Sequence, residues 1–126
     1  MTTAWLVAVM GALGSLLRWA ISSAVQKLAG SAFPLGTLVV NLVGSAAIGL
    51  VMGVFLARGE LDSRLRIGLT AGLLGGFTTY SSFAYETWSL LERRSYGAAA
   101  LNVTITWLVC LAACGGGASL GRVVGR

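Results

Sequence analysis

Gly75-Gly76-Phe77-Thr78-Thr79-Tyr80-Ser81-Ser82-Phe83 interrupts an apolar run from about Ile67 to Leu91 that otherwise has the length and character of a membrane-spanning helix. Five consecutive hydroxyl-bearing residues, Thr78 to Ser82, follow two glycines and are flanked by aromatics, where hydrocarbon would favour Leu, Val and Ala. Lipid offers no partner for a freed N–H or C=O. Such a break persists only where protein covers it or a polar path runs past it. The stretch therefore predicts a broken span and marks the candidate functional core.

The rest of the composition agrees with a membrane location. Of 126 residues, 56% are hydrophobic and only 10% are charged, with a mean hydropathy of +0.85; soluble domains carry about 25% charged residues. The charges leave four apolar stretches, Ala4 to Ser23, Leu35 to Leu56, Ile67 to Leu91 and Gly97 to Leu120. Each is near the roughly 20 residues that cross a bilayer. The fold expected is an all-α integral membrane protein with four transmembrane helices, at about 4–28, 35–57, 67–93 and 96–121, forming one transmembrane domain over 1–126. No basic residue precedes the first run and Arg18 lies inside it, the reverse of a signal sequence, so it is read as a helix.

Several function classes lose support at this point. With no His, and with no nucleophile beside a recognisable base, enzymatic chemistry has nothing to work with. Cys110 and Cys114 sit one helical turn apart inside the fourth stretch, which reads as apolar packing of reduced thiols rather than a disulfide or transition-metal site. The net charge of +5 is spread over helix ends, so no nucleic-acid partner is expected. Arg58, Arg64, Arg66, Arg122 and Arg126 would lie on one side of the membrane, and Arg18, Lys27, Arg93 and Arg94 on the other. That near balance gives almost no positive-inside bias and leaves both orientations open.

Polar residues within the spans follow helical spacing. Thr37, Asn41, Ser45, Gly49 and Gly53 recur every four residues along the second span, and Asn102, Thr106, Cys110 and Cys114 do the same on the fourth. Residues at i and i+4 share a helix face. The small ones allow close helix approach; Asn41 must be either interhelical glue or a ligand-facing donor. Arg18, deep in the first span, either snorkels or faces a watery vestibule. If the third span unwinds over Gly75 to Thr79 and restarts near Ser81, the new N–H groups suit an anion and the released carbonyls suit a small cation. Glu86 lies one turn beyond. Glu92 stands beside Arg93 and Arg94 in an interfacial setting, and Arg58 to Arg66 reads as a solvated mixed-charge turn.

Gly14-Ser15-Leu16-Leu17-Arg18-Trp19, the run from Gly36 to Ser45, and Gly75 to Phe83 followed by Glu86 together resemble the Fluc (CrcB) family of fluoride channels, over the whole chain. The resemblance implies an antiparallel, dual-topology homodimer in the cell's inner membrane that exports fluoride through two pores, with a structural sodium ion at its centre. By position, it implies that Asn41 is a pore-facing amide and that Tyr80 and Phe83 are the aromatic positions beside each pore. Thr37, Ser81, Thr106, Cys110 and Cys114 would supply further polar contacts. Arg18 would lie at the vestibule, Glu86 near a pore mouth, and the backbone carbonyls of Gly75 and Thr78 would hold the sodium. Three positions depart from the family pattern: Tyr80 where Phe is usual, Cys110 and Cys114 where Ser and Thr are, and Asn102 where some relatives have Tyr. One subunit of a heterodimeric channel is therefore an alternative. A small multidrug-type exporter also has four short helices, but it needs a carboxylate in the first span, and none is present.

Overall fold

The computed structural model describes residues 2–59 and 62–126, and every regular element among them is helical. The chain runs α1 (Thr3–Ala29), α2 (Leu35–Arg58), α3 (Ser63–Ile67), a π-helical segment Gly68–Leu74, α4 (Gly75–Phe77), α5 (Tyr80–Glu92) and α6 (Tyr96–Val124). Helices α1, α2 and α6, of 27, 24 and 29 residues, are long and apolar enough to cross a membrane. At about 1.5 Å per residue even a 20-residue helix spans roughly 30 Å. The third apolar stretch is instead a composite of α3, the π segment, α4 and α5. Its surface distribution inverts that of a soluble protein. Val40, Leu74, Phe77, Leu90 and Ala99 are the buried hydrophobic residues, while Trp5, Trp19 and Trp107 are each at least 66% exposed.

The joints are local and chemical. Gly30 ends α1 in a left-handed conformation (φ +57°) that few other residues adopt without strain. Gln26 then pins the following turn: Nε2 donates to the carbonyls of Ser31 (2.6 Å) and Phe33 (3.1 Å), and Oε1 accepts from Gly36 N–H (3.1 Å). Pro34 stands just ahead of α2. The expected mixed-charge turn includes Glu60 and Leu61, which lie outside the described residues. Its second half is not loop but helix, because Asp62 Oδ1 caps α3 by accepting from Arg64 N–H at 2.8 Å. The third span thus begins at Ser63, earlier than the expected 67. At the far end, Arg94 adopts φ +58° and the N–H groups of Arg94 and Ser95 turn back to Leu91 and Leu90, which reverses the chain into α6.

Glycine decides which helices meet. On the first half of the third span, a Cβ at Gly72 would press on Met10 and Val7, and one at Gly76 would overlap the backbone of Gly11. Gly14 of α1 returns the approach against Leu73 and Phe77. The winding here is π rather than the regular α expected from sequence, with the wider turn lying against α1. A second seam joins α2 to α6: Gly49 and Gly53 face Cys114 and Ala118, and Gly117 and Gly121 face Ala46 and Leu50. The consequence is a pair of tightly coupled layers, α1 with the first half of the broken span and α2 with α6. Helix α5 meets α6 through Thr87 and Asn102 and α2 through Glu86 and Thr37.

Candidate functional site

The break is narrower than the expected Gly75 to Thr79. Only Thr78 (φ −83°, ψ 157°) and Thr79 (φ −149°, ψ 121°) are extended, and α5 restarts at Tyr80. Gly75 to Phe77 stay helical because Thr78 closes the first half twice: its N–H donates to Leu74 O at 3.0 Å and its hydroxyl to the same oxygen at 2.9 Å. Asn41 then clamps the next residue from α2. Its Oδ1 accepts from Thr79 N–H (2.8 Å) and its Nδ2 donates to Thr79 O (3.0 Å). A Cβ on Gly44, one turn along α2, would overlap Thr78 Cγ2 and crowd the Phe77 ring, so only glycine lets α2 reach the break.

Thr79 also caps α5, its Oγ1 accepting from Ser82 N–H at 3.2 Å. The carbonyls of Gly75 to Thr78 all lose their helical partners at the break. The N–H groups that would close on Gly75 and Thr78 in a continuous helix belong to Thr79 and Ser82, four residues on. Both are diverted, to Asn41 Oδ1 and to Thr79 Oγ1. The N–H groups of Tyr80 and Ser81, in the first turn of α5, have no carbonyl one turn back to receive them.

A groove of about 790 Å³ runs beside the break. It brings together Asn41, Gly75, Thr78, Tyr80, Phe83, Thr106, Cys110 and Cys114, with Ser45 from the same stripe as Asn41. The rings of Tyr80 and Phe83 lie 5.6 Å apart at 51°, and Tyr80 is 80% exposed. Of the two Nδ2 hydrogens of Asn41, one is committed to Thr79 and the other is not. Thr106 Oγ1 is buried with no hydrogen-bond partner among the described residues. Ser81 is exposed and lies off this groove, near Thr79 Oγ1 at 3.3 Å.

Thr37 and Glu86 meet elsewhere, in a second hollow of about 660 Å³ whose lining includes Lys27, Arg93 and Gln26. Thr37 Oγ1 donates to Glu86 Oε1 at 2.7 Å; Glu86 Oε2 is buried and unpartnered among the described residues. Arg18 is half-buried and lines neither hollow. Among the described residues the Thr37 hydroxyl is thus the one polar contact to that carboxylate. Thr37→Val is expected to cost about 1–3 kcal/mol, the usual range for orphaning a buried acceptor, and Thr37→Ser much less. A thermal melt in detergent checks the pair; equal melting points for the two variants would remove the contact from the stability argument.

Two partners escaped the reading of the sequence. Thr87 and Gln26 are polar residues at helix positions with no motif around them. Asn102, only 1% exposed, donates from Nδ2 to Thr87 Oγ1 at 2.9 Å. A buried carboxamide must find partners, which was the available signal, but nothing in the spacing says which helix supplies them.

The chain is also similar in sequence to known proteins. Residues 5–118 match the profile of a family described as CrcB-like protein, camphor resistance. A fluoride-specific ion channel FluC of Geobacter sulfurreducens is 48% identical over 111 residues, covering 88% of this chain and 90% of that protein. The protein of the same name from Geobacter metallireducens is 48% identical over 112 residues, covering 89% and 90%. That of Syntrophotalea carbinolica is 44% identical over 116 residues, covering 92% and 94%.

Proposed function

The chain belongs to the CrcB-like family, and from that premise we propose that it is a passive, fluoride-selective channel that exports cytoplasmic fluoride across the inner membrane. The observation that carries the reading is the groove beside the break, which gathers an uncommitted amide hydrogen, two aromatic rings and a hydroxyl-and-thiol stripe in one wall. Fluoride is small and tightly hydrated, so its passage needs close replacements for water. Asn41 Nδ2 offers one. The rims of the Tyr80 and Phe83 rings, positive by their quadrupole, offer weak further contacts that an ion can leave as well as enter. Thr106 reaches an ion only after its hydroxyl rotates out of its sealed position. Cys110 and Cys114 are weaker donors than hydroxyls.

The groove is open on one side and Tyr80 is largely exposed, which supports a second copy of the chain as its other wall. Near-balanced charge supports that copy's lying antiparallel, giving a homodimer with two pores. The carbonyls of Gly75 and Thr78 fit a structural sodium ion: they are hard oxygen donors whose helical N–H partners have been diverted. Bound there, the cation would supply charge that holds the two breaks together. A second reading, one subunit of a heterodimeric channel, rests on Tyr80, whose hydroxyl adds bulk to the aromatic position.

Purified protein in liposomes is expected to release fluoride and retain chloride under a potassium–valinomycin bias, followed with a fluoride electrode. Protein that is dimeric by sizing yet releases no fluoride would exclude the homodimeric channel and favour the heterodimeric reading.

A further inference from the structure

We propose that Asn102 and Thr87 are positioning residues that set the rotation of α5 and thereby hold the Phe83 ring in the groove; the idea deepens the channel reading and rests on it. Beyond the Thr37–Glu86 bond to α2, helix α5 has few ties to its neighbours. It is separated from α4 by the two extended residues, and Leu90 is its only buried residue. The Asn41 clamp on Thr79 fixes where the helix begins. A point at one end does not fix rotation about the axis.

A further point comes from α6. Asn102 Nδ2 donates to Thr87 Oγ1 at 2.9 Å, and that hydroxyl spends its own hydrogen on Phe83 O at 2.7 Å. The Thr87 oxygen therefore accepts from one residue and donates to the other, an arrangement in which each bond polarises the next. Phe83, Thr87 and Leu90 lie at i, i+4 and i+7 and share a helix face. The chain of bonds thus ends on the backbone of the residue whose ring lines the groove. With side chains reaching roughly 5–6 Å from the helix axis, a turn of about 20° would move that ring by roughly 2 Å. Such a shift is comparable to the size of the ion.

Three variants test this in liposomes: Thr87→Val, which keeps the shape and loses the hydroxyl, Thr87→Ser, which keeps the hydroxyl, and Asn102→Leu. Fluoride efflux is read beside the fluorine resonance of protein carrying 4-fluorophenylalanine at position 83. Thr87→Val and Asn102→Leu are expected to slow efflux about tenfold, the order of effect of losing one buried hydrogen-bond partner, and to broaden or split the resonance. Thr87→Ser is expected to stay within about twofold of wild type with a single narrow line. A wild-type rate and narrow line in Thr87→Val would overturn the proposal, as would Thr87→Ser failing as badly as Thr87→Val. Should Thr87→Val not fold, Asn102→Leu with an unchanged resonance overturns it equally. If wild-type protein conducts no fluoride, the channel reading falls and the resonance still decides the positioning.

Discussion

Asn41→Asp is expected to lower fluoride efflux at least about 100-fold while also lowering the melting temperature. Two effects combine. Asn41 uses Nδ2 to hold Thr79 O and Oδ1 to hold Thr79 N–H; a carboxylate keeps the second bond but sets oxygen against oxygen at the first. The Thr79 carbonyl, in a residue only 8% exposed, loses its donor, a loss of about 1–3 kcal/mol. The new negative charge then faces the groove through which an anion must pass, and within a membrane it carries a desolvation cost of roughly 2.5–3.5 kcal/mol. Asn41→Leu separates the two contributions, because it removes both Thr79 bonds without adding charge. If Asn41 serves only the backbone, Asn41→Leu should melt lower than Asn41→Asp yet be no less conductive. If it also faces the ion, both should be silent in the efflux assay. Wild-type efflux from Asn41→Asp would remove this side chain from the ion's path altogether.

The double duty of Asn41 shows which parts of this protein can be read from its sequence. Helical spacing alone placed Asn41 on a polar stripe and required it to have a partner, leaving glue and ligand contact both open. The structure supplies the glue and leaves one hydrogen over. The break was legible because a run of hydroxyl residues after two glycines contradicts hydrocarbon. Its width was not, because the limits depend on which acceptor Thr78 and Thr79 find: Leu74 O for one, Asn41 Oδ1 for the other. The stripe Thr106, Cys110 and Cys114 was legible at i, i+4 spacing. Thr37, on the same spacing as Asn41, instead meets Glu86 in the other hollow, since a stripe along a long helix passes more than one neighbour. The π winding of Gly68–Leu74 left no mark in composition; the glycines announce close approach to α1 but not the pitch at which it is reached. Asn102 and Thr87 are the plainest case. Asn102 stands out on its stripe but Thr87 is unremarkable in its own helix, and only the rotation of α5 against α6 joins them.

Gly49→Val is expected to disable the protein from outside the groove. A Cβ at Gly49 would overlap the carbonyl oxygen of Cys114 on α6. The obstacle is backbone, so no rotamer change relieves it, and α2 and α6 must separate. Overpacking ordinarily costs about 1–3 kcal/mol, and a clash with main chain belongs at or above the upper end. The functional consequence is direct, since Cys114 is one end of the stripe that walls the groove. Displacing it opens the wall, so efflux should fall along with thermal stability. Gly116, on α6, provides the opposite case. It has nothing within 4 Å of a built Cβ, and alanine there recovers up to about 1 kcal/mol of helix propensity. The pair therefore predicts opposite signs from the same residue type: Gly49→Val melting well below wild type, and Gly116→Ala at or above it. Should Gly49→Val melt and conduct like wild type, the α2–α6 seam could not be what holds the stripe in place. The wall of the groove would then have to be set by α5, through the Asn102–Thr87 link.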